Sequence, residues 1–164
     1  MKKPVSLILA MLAILFAVSC KSAPAAEPEP EPVPVQEHTD TRFTNAYEAV
    51  LPILYDGAQN YTIAAGDTLT RISRKFYGRR NAFFFPFIMA ASKDKRTVDI
   101  VDPDLIEPGM ELVVPDLELN LAQPEIKARI KTLLDSVSKI YREKPDTNWS
   151  FEIRDGLAAT AGTL

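Results

Sequence analysis

Residues 61–78, Y-T-I-A-A-G-D-T-L-T-R-I-S-R-K-F-Y-G, leave the backbone few choices. Residues 61–63 alternate apolar, polar, apolar, as a half-buried strand should. Gly66 permits a tight turn, and Asp67 or Thr68 then offers a side-chain oxygen to cap the next helix. Leu69, Ile72 and Phe76 recur at i, i+3 and i+7 and would line the buried face, leaving Thr70, Arg71, Arg74 and Lys75 to water. Gly78 supplies the helix stop, with Tyr77 beside the core. The partner of this stretch lies at residues 102–115, D-P-D-L-I-E-P-G-M-E-L-V-V-P. Asp102-Pro103 and Glu107-Pro108-Gly109 are turn chemistry. Leu112 to Val114 reads as a short strand pairing antiparallel with residues 61–63, and Pro115 stops it.

Between the two stretches, a polar break at residues 79–81 leads into F-F-F-P-F-I-M-A-A-S-K-D-K. Pro86 suits the first position of a helix, where its missing N–H costs nothing. That helix would run to about Lys93 and bury Phe85, Ile88 and Ala91. Phe83, Phe84, Phe85 and Phe87 are more than a small module needs inside, so they face flanking helices or make an exposed patch. Residues 96–101 read as a loop.

The order strand, helix, helix, strand, with Y-x-I-x-x-G-D-T-L-x-x-I, then F-Y-G, then the closing turn and strand, resembles the lysin motif (LysM) family over residues 60–115. The chain departs from the family after the second helix, where Asn is frequent and this sequence reads A-A-S-K-D. The resemblance implies an α+β fold, a small β-α-α-β module that binds N-acetylglucosamine-containing glycan in a shallow groove. It implies Gly66, Asp67, Thr68 and Leu69 on one wall and Asp102, Pro103, Asp104, Leu105 and Ile106 on the other. N-acetyl amides need donors and acceptors held by tight turns, and their methyl groups need a small apolar contact such as Leu or Ile. The competing reading is that these residues only fold the module, with Gly for the turn, Asp for the cap, and Leu69 and Ile106 for the core.

The flanks complete the organisation. Lys2 and Lys3 precede an apolar run over residues 5–18, too short to span a bilayer comfortably and typical of a signal-peptide core. Ser19 and Cys20 close an A-V-S-C sequence that resembles the lipobox of bacterial lipoproteins. It implies a signal peptide at 1–19, an acylated (palmitate-bearing) Cys20 and a membrane anchor. Lys21 after that cysteine favours an outer-membrane, periplasm-facing position over the inner membrane. Residues 20–42 form a Pro/Glu-rich linker, with Pro24, Pro28, Pro30, Pro32 and Pro34 alternating with Glu27, Glu29 and Glu31. Such a segment lacks the apolar content to fold and is expected to stay disordered, the twenty residues 21–40 reaching roughly 60 Å if extended. Residues 43–58 read as a flanking helix, with Asn45 and Glu48 as a capping box and Pro52 as a kink. In the C-terminal helical extension, 116–164, Ile126, Ile130, Leu133, Leu134, Val137, Ile140 and Tyr141 mark a helix over 124–143. That stripe demands a cover, either the module itself or, by self-association or protein binding, another chain. A short helix from Asp155 is the reading for the tail.

Several classes of chemistry are excluded. Cys20 is the only cysteine and His38, in the linker, the only histidine, which removes disulfides, nucleophile–histidine pairs and Cys/His metal sites, and no cofactor is implied. The formal charge of −3, or −5 once Lys2 and Lys3 are cleaved away, gives no case for nucleic acid. Asp102 with Asp104 or Glu107 offers paired carboxylates, but in turns without a deep cleft, so no enzyme is expected. The reading is a non-catalytic envelope lipoprotein that binds peptidoglycan rather than chitin-like glycan. The alternative is an adaptor with a binding-dead LysM fold that works through its 124–143 helix.

Overall fold

The computed structural model describes residues 41–99, 101–145 and 147–164. The expected signal segment, Cys20, His38 and nearly all of the Pro/Glu linker lie outside the described residues. Strand β1 (Gln59–Thr62) pairs antiparallel with β2 (Glu111–Val114), Tyr61 standing opposite Leu112 and Gln59 opposite Val114. Pairing continues past the ladder: Ile63 N–H donates to Met110 O and Gly109 N–H to Ile63 O, each at 2.9 Å. Gly109 turns there at φ +94°, a conformation that side chains strongly disfavour.

Between the strands run α2 (Leu69–Tyr77), a 3₁₀ segment over Arg79–Phe84 and α3 (Phe85–Asp94). Pro86 sits in the first turn of α3, as expected. The residues read as a polar break instead coil into the 3₁₀ segment, pinned by Asn81 donating to Tyr77 O and Ser73 donating to Asn81 O. Ser92, fully buried, joins α3 to the sheet: its hydroxyl donates to Ile88 O at 2.8 Å and accepts from Val113 N–H at 2.9 Å. The loop after α3 is held by buried Val98 and Val101, the latter's carbonyl accepting from Tyr47 OH at 2.8 Å.

Helix α1 covers Thr41–Glu48, earlier and shorter than the sequence predicts. Asn45 lies inside it and does not cap it. Pro52 carries no N–H and biases its predecessor away from helix, so the chain leaves α1 through i→i+3 bonds at Val50 and Leu51. The segment that follows runs toward β1, with Ile53 buried. Asn120 of α4 (Leu117–Leu121) fastens it, donating to Leu54 O and accepting from Leu54 N–H at 2.9 Å each.

Helix α5 (Pro124–Glu143) matches its expected bounds, and all seven residues of the stripe are buried. They pack against α1, α3, α4 and α6, so the stripe finds its cover within the chain. The tail differs from expectation. Helix α6 spans Asn148–Gly162, and Thr147 with Ser150 forms a reciprocal capping box in which serine replaces the usual Glu. Ile153, Leu157 and Ala161, spaced i, i+4 and i+8, are its buried edge. Phe84, Phe85 and Phe87 are buried and Phe83 is half-buried, which resolves the excess of phenylalanines in favour of the flanking helices. One apolar core runs through α1, both strands and α2 to α6.

Two stability outcomes follow. A Cβ added at Gly156 would come within 2.2 Å of the Phe83 ring. Gly156→Ala should therefore lower the melting temperature, although helix propensity alone favours Ala by about 1 kcal/mol. A rise in melting temperature would disprove this close contact. Asn120→Ala leaves both polar groups of Leu54 without their partner, and chemical denaturation should show a loss of about 2–4 kcal/mol.

Candidate functional site

The first expected wall is the turn from β1 into α2. Gly66 takes φ +85°, and a Cβ added there would meet no atom within 4 Å, so its backbone conformation alone requires glycine. The two capping candidates divide their tasks. Thr68 is the N-cap, its Oγ1 accepting from Arg71 N–H at 3.3 Å. Asp67 closes the turn, its Oδ2 accepting from Tyr61 OH at 2.6 Å and Ala64 N–H at 2.9 Å. Arg71 donates to Gly66 O at 3.1 Å, which ties the turn to the helix from the other side. Leu69 is buried, whereas Thr68 is exposed.

The second wall is a 3₁₀ turn over Pro103–Leu105, capped by Asp102, whose Oδ1 accepts from Asp104 N–H at 3.0 Å. Its carboxylates are engaged by the C-terminal extension. Lys144 Nζ donates to Asp102 at 2.7 and 2.9 Å and to Asp104 at 2.5 Å, and Tyr141 OH donates to Asp104 Oδ1. Pro103 is buried, Ile106 half-buried, and Leu105 47% exposed.

The two walls meet. Asp67, Thr68 and Leu69 line a cleft of about 170 Å³ together with Pro103, Asp104 and Ile106. Gly66, Asp102 and Leu105 are not part of its lining; Gly66 shapes the turn, Asp102 caps the 3₁₀ segment and holds Lys144, and Leu105 points its apolar side chain to solvent. Five lining residues are not expected from the sequence: Thr70, Phe85, Tyr141, Trp149 and Ile153. The last three come from α5 and α6, and no local pattern announces a contact that depends on how those helices fold back. A larger depression of about 420 Å³ lies beside Tyr47, Leu51, Lys93 and Arg96 and contains none of the expected groove residues. Among the described residues no group of three or more His, Cys, Asp or Glu is placed to hold a metal ion.

The electrostatics separate the two walls. Burial pushes the Asp104 carboxyl above the ordinary range, outweighing the Lys144 and Tyr141 hydrogen bonds that pull it down. The Tyr141 hydroxyl is raised as well, first by burial and then by the Asp104 charge. Asp67 moves the other way: the Tyr61 hydroxyl, then the Ala64 N–H, hold it below its ordinary 3.8. Its folded-state value is depressed, so between the two values the native chain binds fewer protons than the unfolded one. The stability this gives is present above about pH 4 and is lost as pH falls through the folded value. The difference in melting temperature between the natural chain and Asp67→Asn should therefore shrink on acidification. A difference independent of pH would remove Asp67 as the charged clasp of the turn.

No curated protein and no solved structure shows significant similarity to the chain. One family model matches, that of the LysM domain, over residues 61–80. The match covers the second half of β1, the Gly66 turn and α2, while α3 and the antiparallel return of β2 complete the β-α-α-β order beyond it. The chain thus carries a LysM domain at residues 61–80, a module for binding peptidoglycan- or chitin-type glycans rather than for catalysis.

Proposed function

We propose that this protein is a non-catalytic, lipid-anchored component of the bacterial cell envelope that binds peptidoglycan through its LysM groove. The observation that carries the reading is the shared cleft, in which the G-D-T-L turn and the P-D-L-I turn supply facing walls. Its lining suits a neutral sugar: Thr68 and Thr70 bring hydroxyls 3.1 Å apart, and Pro103, Leu69 and Ile106 offer small apolar surfaces to an N-acetyl methyl. Asp104, the one acid of the second wall in the cleft, is neutralised by Lys144.

A single shallow site for a small neutral ligand is weak, because it has little apolar area and polar groups must be desolvated. An acylated Cys20 and the 20–42 linker offset that weakness. They would confine the groove near the wall and raise its effective concentration, so that many weak sites tether membrane to wall. Lys21 favours the outer membrane, facing the periplasm, over the inner membrane. Peptidoglycan is preferred to chitin because the A-V-S-C sequence resembles a bacterial lipobox. The adaptor reading loses its main surface, since the 124–143 stripe it requires is buried within the chain.

The full chain, kept in mild detergent because residues 5–18 are apolar, should co-sediment with purified peptidoglycan. The bound fraction should survive moderate salt, as expected where the contacts are to neutral sugar rings. Absence of the protein from the pellet would sink the tethering function, and retention by chitin beads alone would transfer the site to chitin-type glycan.

A further inference from the structure

Trp149 is the only tryptophan of the chain and, at 47% exposure, one of the most exposed large apolar side chains among the described residues. It lies in the first turn of α6, outside the LysM segment, yet it lines the same cleft as Asp67, Thr68, Leu69, Pro103 and Ile106. Its position is well supported. The indole and the Tyr141 ring form a T-shaped pair, 5.8 Å between centroids and 69° between planes, and Tyr141 is itself buried and tied through its hydroxyl to Asp104. The Thr147–Ser150 capping box fixes the start of the helix that carries it. Phe151, the next exposed aromatic, does not line the cleft and lies under the Arg154 guanidinium instead.

An aromatic plate packed roughly perpendicular to Tyr141, half open to water, beside two hydroxyls and a small apolar wall is a particular combination. A pyranose ring matches it: one face presents C–H groups that can cover the indole, while its rim of hydroxyl and amide groups needs polar partners. An anionic ligand would find no basic side chain among the lining residues, whose two ionisable acids, Asp67 and Asp104, are already engaged by Tyr61 and by Lys144 and Tyr141.

We propose that Trp149 forms an additional wall of the groove and stacks on a sugar ring of the bound glycan, making α6 part of the binding site. This rests on the glycan-binding reading above and adds a residue that the LysM segment does not contain. The C-terminal extension would then set how strongly the groove holds its ligand, by an interaction that requires no charge.

Because Trp149 is the only tryptophan, its emission in the unmodified full chain reports on the contact directly. Titration with the N-acetylglucosamine pentamer should shift that emission to the blue as water leaves the indole. Trp149→Ala should weaken retention on peptidoglycan roughly threefold to tenfold, and Trp149→Phe, which keeps an aromatic face, should restore most of it. Circular dichroism of both variants should match that of the natural chain, since the side chain is half exposed. If the natural chain sediments with peptidoglycan while its emission stays fixed, or if Trp149→Ala binds as well as the natural chain, the stacking proposal fails and the groove reading stands. If neither sedimentation nor emission responds, both fall. A blue shift caused by raising protein concentration alone would assign the indole to a contact between copies and overturn the proposal.

Discussion

Helix α3 is apolar on every side: Phe85 to Ser92 are buried without a break. A helix of that kind must be covered all round. The two-stranded sheet covers part of it, and with four residues in each strand that sheet is too small to be stable alone. The remaining surface goes to α1, α2, α5 and the 3₁₀ segment, while α6 packs along α5 and against that 3₁₀ segment. Central helix and sheet therefore depend on the flanking helices, and module and extension share one core. The buried Ser92 hydroxyl is where the two requirements meet, since it satisfies a strand N–H from within the helix.

That dependence has a consequence for the groove. Once α5 and α6 are brought back to cover α3 and its neighbours, their ends arrive at the second wall. Lys144 and Tyr141 then bind the two aspartates of the 3₁₀ turn, and Trp149 and Ile153 join the cleft. Burial costs Asp104 part of the gain from its partners, which is why its carboxyl stays above the ordinary range despite an ion pair at 2.5 Å. The first wall needs no such support. Asp67, Tyr61, Ala64, Thr68 and Arg71 close it within eleven residues of chain, by bonds that remain mostly open to water.

What can be read from the sequence divides along the same line. The Gly66 turn, the start of α2, Pro86 in the first turn of α3 and the 124–143 helix rest on glycine and proline stereochemistry and on helical periodicity, all local. The bounds of α1 escape such a reading because Asn45 and Glu48 have capping-box spacing, yet the helix has already begun at Thr41. Helix α6 runs longer than its pattern suggests because its buried edge is one residue wide, and Gly156, Ala158 and Ala159 dilute the signal. Gly156 is there for Phe83, a partner more than seventy positions away, and no window of local sequence contains both.

By itself the sequence determined the module: a strand, a glycine turn, a capped helix, a proline-started helix and a returning strand, each specified by backbone preferences within a few residues. It also determined that the 124–143 stripe and the crowded phenylalanines would need cover. That each covers the same core, that Asp102 and Asp104 are held by Lys144, and that Trp149 lines the cleft are matters of tertiary packing. The reason is physical. Turn and cap geometry is set by neighbours along the chain, whereas burial and ion pairing depend on which surfaces meet, and that choice belongs to the whole core.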